Sequence, residues 1–217
     1  MSISFITEKY RLKIKDNEKC TIELLPEEDL KVDALKQERR KLYIVHNGNE
    51  ILYVGEANTS IKTRFQRSLR SHNYFVVNQK RQGYAYKWLD IVNKARELTV
   101  TVIIFDDNLD DNRSFVEAIE GDLVFIIRKE FGYWPKFQNE IHFSNEKDAE
   151  HIAITIFEKF RQENITSINS EQEYKEALKR LEQIFDAAKD SKDGNELKVL
   201  GALVENYENE IIVFNTF

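Results

Sequence analysis

Residues 42–55 read Leu42-Tyr43-Ile44-Val45-His46-Asn47-Gly48-Asn49-Glu50-Ile51-Leu52-Tyr53-Val54-Gly55. Two β-rich runs, Leu42–Val45 and Ile51–Val54, flank a polar turn whose Asn-Gly supplies the positive φ angles that a tight hairpin needs. This is the clearest hairpin in the chain, and it sets two tyrosines on adjacent strands.

Just downstream, Thr59 or Ser60 is placed to cap a helix with Ile61, Phe65 and Leu69 on one face, which sends Arg64 and Arg67 elsewhere. Tyr84–Glu97 reads as a further helix, Leu98–Phe105 as a buried strand that joins the hairpin, and Asp106–Asp111 as an acidic turn. From Ser114 to Lys129, Phe115, Ile119, Leu123, Ile126 and Ile127 recur at helical spacing, with Glu117 and Glu120 one turn apart. Gly132 and Pro135 break that helix before Phe137–Phe143, and Asp148–Phe160 makes another. Upstream, residues 1–40 alternate weakly and then turn charged around Glu27–Arg40. That pattern predicts an N-terminal strand or two and a short helix.

Composition bounds the class. A chain of 217 residues with 41% apolar and 32% charged residues, two prolines and seven glycines has the make-up of a folded protein rich in amphipathic helix. It has room for one main domain with extensions at both ends. No apolar run approaches the roughly 20 residues of a membrane-spanning helix. The single Cys20 and the absence of a basic-then-apolar leader lead to the expectation of a reducing, cytoplasmic setting.

A net charge of −6 argues against general affinity for nucleic acid, but the charge is unevenly spread. Ala57–Leu89 contains no Asp or Glu, although 38 acidic residues in 217 would place about six in a stretch of that length. The same stretch holds Lys62, Arg64, Arg67, Arg70, Lys80, Arg81 and Lys87, an excess suited to an anionic partner.

Tyr43 within Lys41-Leu42-Tyr43, Tyr53-Val54-Gly55, Arg64 on the following helix and Glu120 ahead of Leu123-Val124 come in an order that resembles the GIY-YIG nuclease family, over about residues 41–143. The first motif keeps its tyrosine and has Lys41 where the family has glycine. The resemblance implies a metal-dependent endonuclease acting on DNA, with Mg²⁺ or Mn²⁺ held by Glu120, or by Glu117 as the alternate. It also implies Arg64 as phosphate donor, Tyr43 as base and Tyr53 as positioner. A carboxylate-held divalent ion neutralises non-bridging oxygens, and a guanidinium offers a permanent fork of donors to the same phosphate. Gly55 would allow close backbone approach to the substrate. Lys62, Arg67, Arg70, Lys80 and Arg81 would hold the DNA backbone, with His72 as an auxiliary. Trp134-Pro135-Lys136-Phe137-Gln138-Asn139 offers Gln138 or Asn139 for the amide with which the family often closes its core.

Beyond a polar link at Arg161–Asn169, Ser170-x-x-Glu173 reads as a capping box before a stripe of Tyr174, Ala177, Leu178, Leu181, Ile184 and Phe185. A turn at Asp193-Gly194 leads to a second stripe, Leu197, Leu200, Leu203, Val204 and Tyr207. This helical hairpin resembles the N-terminal helical part of HigA-type antitoxins without the helix-turn-helix that follows in them, which implies a contact with a protein partner or self-association through residues 170–217.

The expected fold is therefore α/β or α+β. A small, mainly antiparallel three-stranded sheet is flanked by helices, residues 1–40 form an extension, residues 41–162 the nuclease-like domain, and residues 170–217 the helical hairpin. The rival expectation is a catalytically silent nucleic-acid-binding or regulatory module working through its C-terminal helices.

Overall fold

The computed structural model describes residues 3–15, 19–26, 28–47, 50–78, 80, 97–106, 109–138, 141, 144–164, 168, 171–188 and 191–214. The chain divides into two compact units, Met1–Glu158 and Lys159–Phe217, and the division falls within a helix.

The first unit is built on a five-stranded antiparallel sheet: β1 (Phe5–Lys15), β2 (Lys19–Leu24), β3 (Lys41–Asn47), β4 (Glu50–Ala57) and β5 (Glu97–Phe105), in the order β2-β1-β5-β3-β4. Three strands were expected, so this is a correction, and its cause lies in β1. There the inward face reads Glu8, Tyr10, Leu12, all buried, and a carboxylate in that series hides the alternation. The N-terminal strands are thus part of the sheet: β1 pairs along β5 from Phe5 opposite Phe105 to Lys13 opposite Glu97.

The short helix expected within Glu27–Arg40 is also corrected, since its described residues form turns and extended chain. The backbone N–H groups of Lys31, Val32, Asp33 and Ala34 all donate to the Glu8 carboxylate, at 2.6–3.1 Å, which removes the donors a helix there would use. Asp33 takes a left-handed φ of 64° within this wrap. Tyr10 donates its hydroxyl proton to Glu8 as well. These bonds hold the Glu8 carboxyl below its usual range although burial pushes the other way.

Two helices border the hairpin. α1 (Ile61–Asn78) follows β4, and Ser60 caps it, its Oγ accepting from the Thr63 N–H at 3.1 Å. Its Ile61, Phe65 and Leu69 join Tyr43, Val45, Val100 and Val102 in one core. α2 (Arg113–Phe131) packs on β3 and β4 and ends at Gly132, whose φ of 75° lets its N–H reach the Arg128 carbonyl at 3.0 Å. On β3 and β5 the alternate residues Leu42, Ile44, Ile103 and Phe105 are buried too, so these strands are covered on both faces. That explains why they read as unbroken apolar runs. α3 (Ala149–Asn164) runs further than expected and takes in the start of what was read as a polar link.

In the second unit, α4 (Glu171–Ile184) and α5 (Lys192–Phe214) pack around Ile168, Ala177, Leu203 and Val204. Two details differ from the expected hairpin. Asp193 and Gly194 lie inside the first turn of α5, where the Gly194 N–H donates to Ser191 Oγ at 3.0 Å, so a capping serine replaces the expected turn. Phe185, expected on the buried stripe, is 73% exposed because α4 has already ended.

The expected helix over Tyr84–Glu97 lies outside the described residues, save that Glu97 opens β5. So do Arg81, Lys87, Asn139, Ser170 and the side chain of His72. Among the described residues no helix is long and apolar enough to cross a membrane.

Candidate active site

The β3–β4 register puts Tyr43 directly opposite Gly55 and Tyr53 opposite Val45, so both tyrosines rise from one face of the sheet. Their ring centres are 5.9 Å apart, and Phe65 of α1 closes on Tyr43 edge-on at 5.6 Å. Gly55 makes this possible. A Cβ there would lie 2.5 Å from Tyr53 Cε1 and 2.6 Å from the Tyr43 hydroxyl, closer than any side chain can sit. The close approach at this glycine is therefore by the two rings.

Arg64 turns inward from α1 and donates from Nε to the Tyr43 hydroxyl oxygen at 3.0 Å. Its helix neighbours Lys62, Arg67 and Arg70 are exposed, as is Lys80 beyond the helix. The acid-free stretch thus divides into one cation committed to the tyrosines and a set that faces solvent.

Glu120 projects from α2 and accepts from Gln138 Nε2 at 3.5 Å, while Gln138 Oε1 accepts from the Val54 N–H at 3.2 Å. The Phe137 N–H donates to the Leu52 carbonyl at 2.9 Å, which lays this segment along β4. Gln138 thus reaches the carboxylate, while Asn139, the other amide left open by the sequence, lies outside the described residues. Glu117, one turn back, is held by Arg113 at 2.8 Å.

The electrostatics link the set. Burial, then the charge of Glu56, pushes the Glu120 carboxyl up to about 7, with Glu117 adding and Arg64 and Gln138 opposing. Burial raises both tyrosine hydroxyls, while Arg64 acts to lower each. The guanidinium of Arg64 is held above its ordinary range, first by Tyr43. Tyr43, Tyr53 and Arg64 thus meet in one cluster, and the charge of Glu120 acts on both tyrosines.

Two cations that frame this site carry no signal in the sequence beyond their place at the start of a strand. Arg40 donates its backbone N–H to the Asp110 carboxylate, donates from Nε and Nη2 to the Asp110 carbonyl at 3.3 and 3.2 Å, and pairs through Nη1 with Glu56. This fastens the approach to α2 and covers one of the charges that act on Glu120. Lys41, fully buried, donates to three carbonyls and is pushed down to about 8 by burial.

Among the described residues no group of three or more His, Cys, Asp or Glu side chains is placed to hold a metal. Glu120, half-buried, is of the type that would hold Mg²⁺, an ion that keeps most of its waters and takes one or two carboxylates together with substrate phosphate. Against known protein-family models, curated proteins and solved structures, the chain has no match.

Proposed function

We propose that this protein is a metal-dependent endonuclease that hydrolyses DNA phosphodiester bonds at the site formed by Tyr43, Tyr53, Arg64 and Glu120. The observation that carries the reading is the Arg64 Nε donation to Tyr43 at 3.0 Å, with the charge of the half-buried Glu120 acting on both.

Glu120 would hold Mg²⁺ or Mn²⁺, and the bound ion would supply charge neutralisation at the non-bridging phosphate oxygens. Arg64 remains charged at any working pH, and its guanidinium is a fork of donors suited to a phosphate. A water attacks phosphorus as the bond to the leaving oxygen breaks; the water's proton passes to the Tyr43 oxygen, and the leaving oxygen takes a proton from solvent water. Tyr43 is buried and protonated at rest, so its own proton must first pass to solvent water, and the Arg64 charge beside the oxygen stabilises the phenolate that results. Tyr53 positions the water. Gln138 orients Glu120 from β4. Lys62, Arg67 and Arg70 hold the duplex by its phosphates, which fixes position and reads no sequence. The α4–α5 unit is read as a contact with a protein partner or a second copy.

The test is incubation of supercoiled plasmid with the protein and with Glu120→Ala, with Mg²⁺ or Mn²⁺ and with chelator. Metal-dependent nicking or linearisation that falls by about 10²-fold or more in the variant supports the reading. Salt-sensitive DNA binding with no cleavage by either protein replaces it with a silent binding module.

A further inference from the structure

Lys41 stands where a glycine would complete the first motif, two residues before Tyr43 and on the same face of β3. It is 0% exposed. Its Nζ donates to the carbonyls of Gln37 at 2.8 Å and Thr59 at 3.0 Å, and also to that of Arg39. An ammonium has three protons, so each is matched by a backbone acceptor, the condition under which a buried charge is tolerable.

The three carbonyls come from two segments. Gln37 and Arg39 lie in the connection that leads into β3, and Thr59 immediately precedes Ser60, the cap of α1. A second bond ties the same parts, since the Ile61 N–H donates to the Ala34 carbonyl at 3.0 Å. Lys41 therefore grips the entry of α1, and Tyr43, next on that face, grips Arg64 more than one turn further along the same helix. With both grips in place, the guanidinium has one position relative to the tyrosine hydroxyl.

We infer that Lys41 is a positioning residue, whose ammonium gathers the Gln37, Arg39 and Thr59 carbonyls and thereby sets α1, and Arg64 with it, against Tyr43. The kinetic consequence rests on the nuclease reading, whereas the placement of Arg64 does not. A lysine that served stability alone would lower the melting temperature and leave Arg64 where it is.

Lys41→Met keeps the length of the side chain and removes every donor, and Lys41→Gln keeps two N–H donors. Each variant is compared with wild type in melting temperature, in solvent exchange of the Arg64 Nε–H by NMR, and in kcat and KM for Mg²⁺-dependent plasmid nicking. In folded Lys41→Met the Arg64 Nε–H is expected to exchange faster, and kcat to fall by about 10²-fold, the size of effect a small misplacement of a reacting group produces. KM should stay within about twofold, because the exposed cations of α1 still hold the DNA. Lys41→Gln should recover part of both losses. An Arg64 signal and a kcat unchanged in a folded variant overturn the inference, as does loss of the fold in both variants, which would make Lys41 a residue of the core alone. If the wild type cuts no DNA with any metal, the nuclease reading falls, and the Arg64 exchange by itself decides whether Lys41 positions it.

Discussion

Gly55 and Glu120 show how little room single positions have in this site. At Gly55 a methyl group would overlap Tyr43 and Tyr53 at 2.5–2.7 Å, so one ring must move. Gly55→Ala is expected to cost about 1–3 kcal/mol in a denaturant melt and to reduce nicking, with both effects traced to overpacking. Glu120 makes a prediction about pH. Its folded pKa of about 7 lies above its ordinary value of 4.5, so between those values the native state holds a proton that the unfolded chain has lost. In chelator, stability should therefore fall as pH rises from about 4.5 to 7, by up to about 3 kcal/mol, and then level. Glu120→Gln should remove this slope and be the more stable protein at pH 8 while lacking metal-dependent cleavage. Unfolding midpoints of both proteins between pH 5 and 8 check it, and a wild-type slope that persists in the variant would refute the assignment. Tyr43, Tyr53, Arg64 and Glu120 stood out in the sequence because of their order along the chain, and the roles proposed for them rest on that order. Glu8 and Lys41 were not readable, because a buried ionisable residue makes sense only with its partners, and the backbone donors to Glu8 lie 23 to 26 positions away.

Among the elements, α1 works on two sides. Its inner face supplies Ile61, Phe65 and Leu69 to the core and Arg64 to the tyrosines, and its outer face carries Lys62, Arg67 and Arg70. Reversing those three charges to Glu leaves the core untouched, so the melting temperature should hold. The slope of log binding constant against log salt for duplex DNA should fall in magnitude by about 2–3, close to one unit per lost phosphate contact. Fluorescence titration at several salt concentrations measures it, and an unchanged slope would place the DNA track elsewhere. The amphipathic period of α1 and α2 was legible from sequence, as was the glycine stop after Arg128. The length of α3 and the start of α5 were not: helix ends depend on single caps, and Ser191, a residue without any apolar signal, decides one of them.

Taken whole, the molecule has a sheet unit and a separate helical unit with its own core. In the helical unit Glu196 accepts from Arg161 Nη2 at 2.9 Å and from Arg180 Nε and Nη2 at 3.0 and 2.9 Å, which holds its carboxyl below the usual range. A depressed carboxylate contributes stability that is present above its ordinary pKa and lost as pH falls through the folded value. Calorimetry is expected to resolve two transitions, with Glu196→Gln lowering only one, by about 1–2 kcal/mol after allowance for the partly exposed arginines. A single transition that moves as one would show the units to be cooperative. The sequence by itself determined the β3–β4 hairpin, the two tyrosines on its adjacent strands, the amphipathic helices and the uneven charge, because turn chemistry and side-chain period act over a few residues. Only the tertiary structure decided that residues 5–24 complete a five-stranded sheet, that Lys31–Ala34 wrap a buried carboxylate instead of forming a helix, and that Gln138 bridges Val54 and Glu120. Each of those outcomes depends on hydrogen bonds between segments far apart in the chain, whose partners no local pattern announces.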